Sequence, residues 1–164
     1  MQAIDAIKTR RSIRAYDTTK PVTREILSDL VDCARLAPSA MNQQLWEFVV
    51  VTDRKINDEI AATIGHAKFL TGIPATILVL CRNNSFYLED ASAATQNILI
   101  AARAHGLGSC WVAVDKQSYH DAIRALIAAP ADYKVVALVS VGYPAETPNP
   151  EKRPLSSVLH WERF

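Results

Sequence analysis

Glycine is scarce in this chain, with five among 164 residues, and that scarcity removes several chemistries at once. No Gly-x-x-x-x-Gly-Lys-Ser/Thr loop is present to cradle a nucleoside triphosphate. Gly106-x-Gly108 lacks both a third glycine and a preceding strand, so no dinucleotide fingerprint is formed. Cysteine is equally sparse. Cys33, Cys81 and Cys110 are odd in number, far apart and set among apolar neighbours, which fits reduced core thiols and not a disulfide framework or a metal knuckle. The histidines, His66, His105, His120 and His160, show no His-Glu-x-x-His spacing, and no Gly-x-Ser-x-Gly elbow presents a nucleophile. Hydrolysis and zinc chemistry lose their usual signatures. No run approaches the ~18 apolar residues of a membrane span, and the N-terminus MQAIDAIKTR carries Asp5 inside its apolar pattern, unlike a secretion signal. The chain reads as cytoplasmic and free of membrane. Charge of one sign is missing too: 18 basic and 17 acidic residues leave a formal net charge of +1, no field for nucleic acid.

What is there is local. Thr9-Arg10-Arg11-Ser12-Ile13-Arg14-Ala15-Tyr16 gathers three arginines and a serine within five residues, a solvated charge run or an anion site. Around it the periodicities alternate. Thr23 to Ala37 has helical spacing, with Thr23 as cap and Pro38 as stop, and the small and amide loop Pro38-Ser-Ala-Met-Asn-Gln-Gln44 follows. Trp46 to Val51 reads as a strand, Asp53 caps a helix to Ile64, and Pro74 to Leu80 is a second strand. Phe86 to His105 is a helix rich in alanine and serine, approachable from more than one side. Ser109 to Val114 is a strand, Asp115 to Ala128 a helix capped by Asp115, and Lys134 to Val141 a strand. The alternation predicts one domain over 1–164, a sheet covered by helices on both faces. From about 143 to 164 the chain changes character, with four of the eight prolines and Val158, Leu159, Trp161 and Phe164 without a helix to bury them. An extended arm on a second copy would cover them; folding back on its own domain is the alternative.

A phosphate site in a chain with few reactive side chains leaves the reaction to a bound cofactor. Four ordered blocks sharpen this: TRRSIRAY, APSAMNQQLWEFVVV, DASAATQNILIAARAHGLGSCWVA, and VVALVSVGYPAETP with EKRPLSSV. Together they resemble the nitroreductase family of FMN-dependent oxidoreductases, from about Ile7 onward. The resemblance implies an α+β fold with a central, mainly antiparallel sheet of four to five strands flanked by helices. It implies a homodimer that exchanges the C-terminal arm and builds each flavin site from both chains. Electrons would pass from NADH or NADPH through FMN to a nitroaromatic, quinone or related small acceptor, with no protein nucleophile.

Carried onto this sequence, Arg10, Ser12 and Arg14 match the positions that hold the FMN phosphate and ribityl chain, with Arg11 in the same run. A guanidinium fork can meet two phosphate oxygens at once. Pro38, Ser39, Ala40 and Asn42 match the loop that reaches the partner's flavin. Trp111, Val112 and Ala113 match the strand end against the ring, a backbone N–H near Ala113 facing flavin N5. Lys152 and Arg153 match late basic residues that close on the phosphate. Lys68 or His66 is offered for a ring-edge cation. The chain departs from the family in having Gln44-Leu45-Trp46 where Gln-Pro-Trp is frequent, and Ala113 where glycine is frequent. Asp90, at the start of the small-residue helix, reads as a complement to the helix dipole. Two alternatives stand beside this reading: a flavin-binding redox sensor with little turnover, and a dehalogenating or oxidising branch of the same family.

Overall fold

The computed structural model describes residues 1–164. A helix, α1 (Ala3–Thr9), precedes the arginine run, and α2 (Arg24–Arg35) follows it. The Thr23 hydroxyl accepts from the Ile26 N–H and so starts α2 where the sequence places its cap. Strand β1 (Trp46–Val51) leads into α3 (Arg54–Ile64), started by the Asp53 carboxylate on the Ile56 N–H at 3.0 Å. Then come β2 (Ala75–Arg82), the long α4 (Tyr87–Ala104), β3 (Gly108–Ala113), α5 (His120–Leu126) and β4 (Tyr133–Gly142).

The four strands form one sheet in the order β1-β2-β4-β3, every neighbouring pair antiparallel. Alternating side chains feed two cores, as a sheet covered on both faces requires. Ile77, Val79 and Val139 pack with Leu30 of α2 and Ile98 of α4. Leu78, Leu80, Val135 and Leu138 pack on the other face with Ile60 of α3 and Ile123 of α5. The small residues of α4 let it touch α1, α2 and all four strands at once, the close approach that its alanines predict. The thiols follow the core reading: Cys81 and Cys110 are buried, and burial pushes Cys81 up to about 11.

Two expectations need correction. The helix expected from Asp115 starts only at His120 and ends at Leu126. Lys116 takes a left-handed φ of 61°, incompatible with a first helical turn, and the Asp115 carboxylate accepts from the Tyr87 hydroxyl at 3.0 Å instead of capping. The segment expected as one extended arm from about 143 to 164 divides in two. Residues 143–149 are tied down: the Asp17 N–H donates to the Tyr143 carbonyl and the Ala145 N–H to the Ala15 carbonyl, both at 2.9 Å. Beyond them every residue from 150 to 164 is exposed, with Trp161 retaining 76% of its surface. The tail does not fold back onto its own sheet.

Candidate functional site

The arginine run adds itself to the sheet edge. Ser12 makes a parallel bridge to Ser109 of β3, and the Ile13 N–H donates to the Ser109 carbonyl at 3.0 Å. Two glycines make room for it. Gly108 and Gly142 face each other in the β3–β4 register. A Cβ on Gly108 would meet the Ile13 side chain at 2.8 Å, and one on Gly142 would meet Tyr16 at 2.9 Å. The run is then locked from three directions. Glu146 Oε1 accepts from the N–H groups of Arg14 and Ala15. The Tyr16 hydroxyl donates to the Ile13 carbonyl at 2.6 Å and shares a hydrogen bond of 2.7 Å with Ser140. Burial pushes the Tyr16 phenol well above its ordinary range, so it keeps its proton for these bonds at any ordinary pH.

A cavity lies at each end of the run. The first, about 440 Å³, is lined by Arg10, Arg11 and Arg103 with Ser109, Thr147 and Asn149, and Glu146 stands on its wall. The Arg10 guanidinium makes no hydrogen bond or ion pair within the chain. Arg11 is different: its Nη1 donates to the carbonyls of Lys8 and Arg10, and its Nη2 to Asn149 at 3.1 Å. The second cavity, about 420 Å³, is lined by Arg14, Cys110, Trp111, Val112 and Ala113, facing His66, Phe69 and Tyr119. Seven of its ten lining residues are aromatic or apolar, while polar atoms supply about half of the surface they expose. The Arg14 guanidinium sits 5.9 Å from the centre of the Phe69 ring, and the Tyr119 hydroxyl donates to the Ala113 carbonyl at 2.8 Å. Burial raises the Cys110 thiol, and the Ser12 hydroxyl and nearby arginines pull it back in part, a thiol unsuited to act as a nucleophile.

Arg10 and Arg14, grouped in the sequence at one phosphate, therefore belong to different cavities. Four residues of extended chain span at most ~14 Å, enough to separate them. Of the two candidates for a ring-edge cation, His66 reaches the second cavity and Lys68 lines neither.

Pro38, Ser39, Ala40 and Asn42 line neither cavity. Their loop is nevertheless built to one shape. Met41, Asn42 and Gln44 all take left-handed φ values, 53°, 55° and 53°, a costly run for residues that are not glycine. The Ser39 hydroxyl accepts from the Gln44 N–H at 3.0 Å, and the Gln44 amide donates to the Asn42 side chain at 3.0 Å. Beneath them Asp90 of α4 is 4% exposed, and its Oδ1 accepts from the Ala40 N–H at 2.9 Å while Oδ2 has no partner. The dipole reading of Asp90 misses this contact, which spans fifty positions and leaves no local signal. Lys152 and Arg153 stand on the exposed tail away from both cavities; Arg153 donates only to the Ser157 carbonyl, at 2.7 Å. Sequence reasoning also passed over Arg103, Glu146, Asn149, Phe69 and Tyr119.

Comparison with known proteins gives one consistent answer. The family model described as "Nitroreductase family" matches residues 7–84 and 64–143. A Methanothermobacter thermautotrophicus protein, provisionally named NADH dehydrogenase/NAD(P)H nitroreductase, is 34% identical over 154 residues, 90% of this chain and 80% of its own. A crystal structure of a Bacteroides thetaiotaomicron protein of the same provisional name superposes with a TM-score of 0.93 at 32% identity, covering 99% of this chain and 98% of that one. An FMN-dependent nitroreductase from Clostridium difficile superposes at 0.89 with 32% identity, over 98% of this chain and 99% of its own. Four sequence blocks, an antiparallel sheet edged by the arginine run, and matches over nearly the whole length place this chain in the nitroreductase family.

Proposed function

We propose that the chain is an FMN-dependent NAD(P)H oxidoreductase that works as a homodimer. One observation carries the reading. A single extended run on the sheet edge joins a cavity with an unpaired guanidinium to a second cavity lined largely by aromatic and apolar residues. A ligand with an anionic end and a flat, largely apolar end suits that pair, and FMN has both. No helix is long and apolar enough to cross a membrane, so the reading needs no lipid.

Arg10, with Ser109 beside it, would hold the phosphate, and Trp111, Val112 and Ala113 would carry the ring; the Ser12 hydroxyl lines neither cavity and meets the Cys110 thiol. FMN, when bound, would supply the chemistry of hydride transfer between NADH or NADPH and a nitroaromatic, a quinone or a related acceptor. The chain's part is to bind and orient. Arg14, over Phe69, places a fixed positive charge at the ring end, where it stabilises electron density gained on reduction. Phe69 and Tyr119 form the opposite wall and keep water from that face. The loop Pro38–Asn42 serves the site of the other copy, which accounts for its absence from both cavities here. Lys152 and Arg153 ride on a tail that a second copy would cover, together with Val158, Leu159 and Trp161.

The visible spectrum of the purified protein tests the reading. A yellow protein that releases FMN and oxidises NADH or NADPH steadily with a quinone is expected. Released FAD, or no flavin after incubation with FMN, overturns it, and a yellow protein without turnover assigns it to sensing instead.

A further inference from the structure

The first cavity holds three guanidinium groups, and they are not equivalent. Arg11 is consumed by the chain: two carbonyls take its Nη1 and Asn149 takes its Nη2, so it ties the end of α1 to the 143–149 segment. Its Nε is buried without a partner, leaving no fork to present to a ligand. Arg103 is arranged in the opposite way. It stands on the last turn of α4, and its Nε donates to Thr9 Oγ1 at 3.0 Å. The Thr9 hydroxyl in turn donates to the Asp5 carbonyl at 2.6 Å. That relay fixes the guanidinium plane through one nitrogen, while Nη1 and Nη2 have no partner in the chain and Arg103 lines the cavity with Arg10.

A basic residue in the last turn of a helix also complements the dipole. That role needs no anchored plane, and an exposed side chain would serve it as well. The one carboxylate on the cavity wall, Glu146, already accepts two backbone N–H groups through Oε1, and no ion pair joins it to Arg103. We infer that Arg103, and not Arg11, is the second guanidinium of this cavity, pairing with Arg10 around a phosphate monoester dianion. The inference rests on the flavin reading above and adds a residue from α4 that the Thr9–Tyr16 run does not contain. Two guanidinium groups carried at the ends of different helices, Arg10 just past α1 and Arg103 in the last turn of α4, meet different phosphate oxygens. Selectivity for FMN over riboflavin then depends on both.

The test uses the full-length protein and measures FMN and riboflavin affinity side by side for the wild type, Arg103→Gln, Arg103→Lys and Arg11→Gln. Arg103→Gln is expected to weaken FMN by about tenfold or more with riboflavin changed less than about twofold, because riboflavin has no phosphate to lose. Arg103→Lys should recover part of the loss, and Arg11→Gln should lower thermal stability and weaken both flavins alike. Equal weakening of both flavins by Arg103→Gln, or no weakening of either, overturns the inference while leaving the flavin reading intact. Inorganic phosphate supplies an arm independent of flavin: it should raise the melting temperature of the apoprotein, and Arg103→Gln should abolish that rise. If the wild type takes up no flavin, the flavin reading fails. The assignment of Arg103 as an anion ligand then stands or falls on the phosphate arm.

Discussion

The arginine run and the Pro38–Gln44 loop are both short, polar and irregular, yet they are held by opposite means. The run is pinned through its main chain, by Ser109, by the Glu146 carboxylate and by Tyr16 on the Ile13 carbonyl. The guanidinium groups of Arg10 and Arg14 are left over for other work, while Arg11 and Tyr16 are spent on the chain itself. The loop is pinned through side chains, its left-handed residues braced by Ser39 and Gln44, and its body held by the buried Asp90 carboxylate under Ala40 and by the Asn84 amide donating to Gln43. The run borders both cavities and the loop borders neither. Backbone anchoring lets side chains change without moving the chain. A strained loop held by a few polar side chains, Asp90 beneath Ala40 and Asn84 on Gln43 among them, has no such reserve.

The comparison breaks most completely if the proposed second copy is removed. Truncation after Asn149 keeps the docked 143–149 segment and deletes the exposed tail. The expected product is folded by far-UV circular dichroism, monomeric by sedimentation, and at least tenfold weaker for FMN, because the run remains while the partner's loop is lost. A monomer with native affinity would show that the loop serves no neighbouring site, and a folded dimer would show that the tail does not hold the copies together.

A smaller effect comes from the pin. Asp90→Ala leaves the Ala40 N–H without its acceptor in a buried place, a cost of about 1–3 kcal/mol, measurable by urea denaturation. It should also weaken FMN severalfold, whereas Asp90→Asn retains an acceptor and restores most of both. No difference between alanine and asparagine would remove Asp90 as the loop's support.

On the run, Arg14→Ala should weaken FMN and riboflavin to the same extent, by about tenfold for a lost charged contact, since Arg14 belongs to the ring-end cavity. A loss confined to FMN would return Arg14 to the phosphate. Smallest for the ligand is Tyr16→Phe, with about 1–2 kcal/mol of stability lost and flavin affinity nearly unchanged. The raised phenol adds a sign: its contribution is complete below the free phenol's range and declines as pH climbs past about 10, where the unfolded chain releases a proton that the folded chain keeps. Tyr16→Phe should flatten that alkaline decline.

Much of this was legible in the sequence wherever the information was local. Thr23 and Asp53 announced their helices because a cap acts on residues three positions away, and the strands declared themselves as short apolar runs. The Asp115 start failed because the Tyr87 hydroxyl competes for the same carboxylate, a contact across twenty-eight positions. The candidate site divided along the same line. The family blocks carried the run and the Trp111–Ala113 strand end, which the fold sets side by side. They were silent on distance, so Arg14 was grouped with Arg10 although the two reach different cavities. Asp90 beneath Ala40 and Arg103 beside Arg10 are meetings made by tertiary packing, invisible to spacing.

The middle of the sheet has a bearing on how the chain is made. Its most extensive pairing joins β2 to β4, Ala75 opposite Val141, so the central ladder stays open until nearly the whole chain up to Gly142 has been synthesised. Such non-local closure slows folding and leaves strand edges exposed meanwhile. The small-residue helix α4, which lies between these strands in sequence and packs on both, is available earlier to cover the waiting apolar face. Ribosome-stalled chains ending just before β4 should therefore be protease-sensitive and bind chaperones, and chains a few tens of residues longer should be resistant.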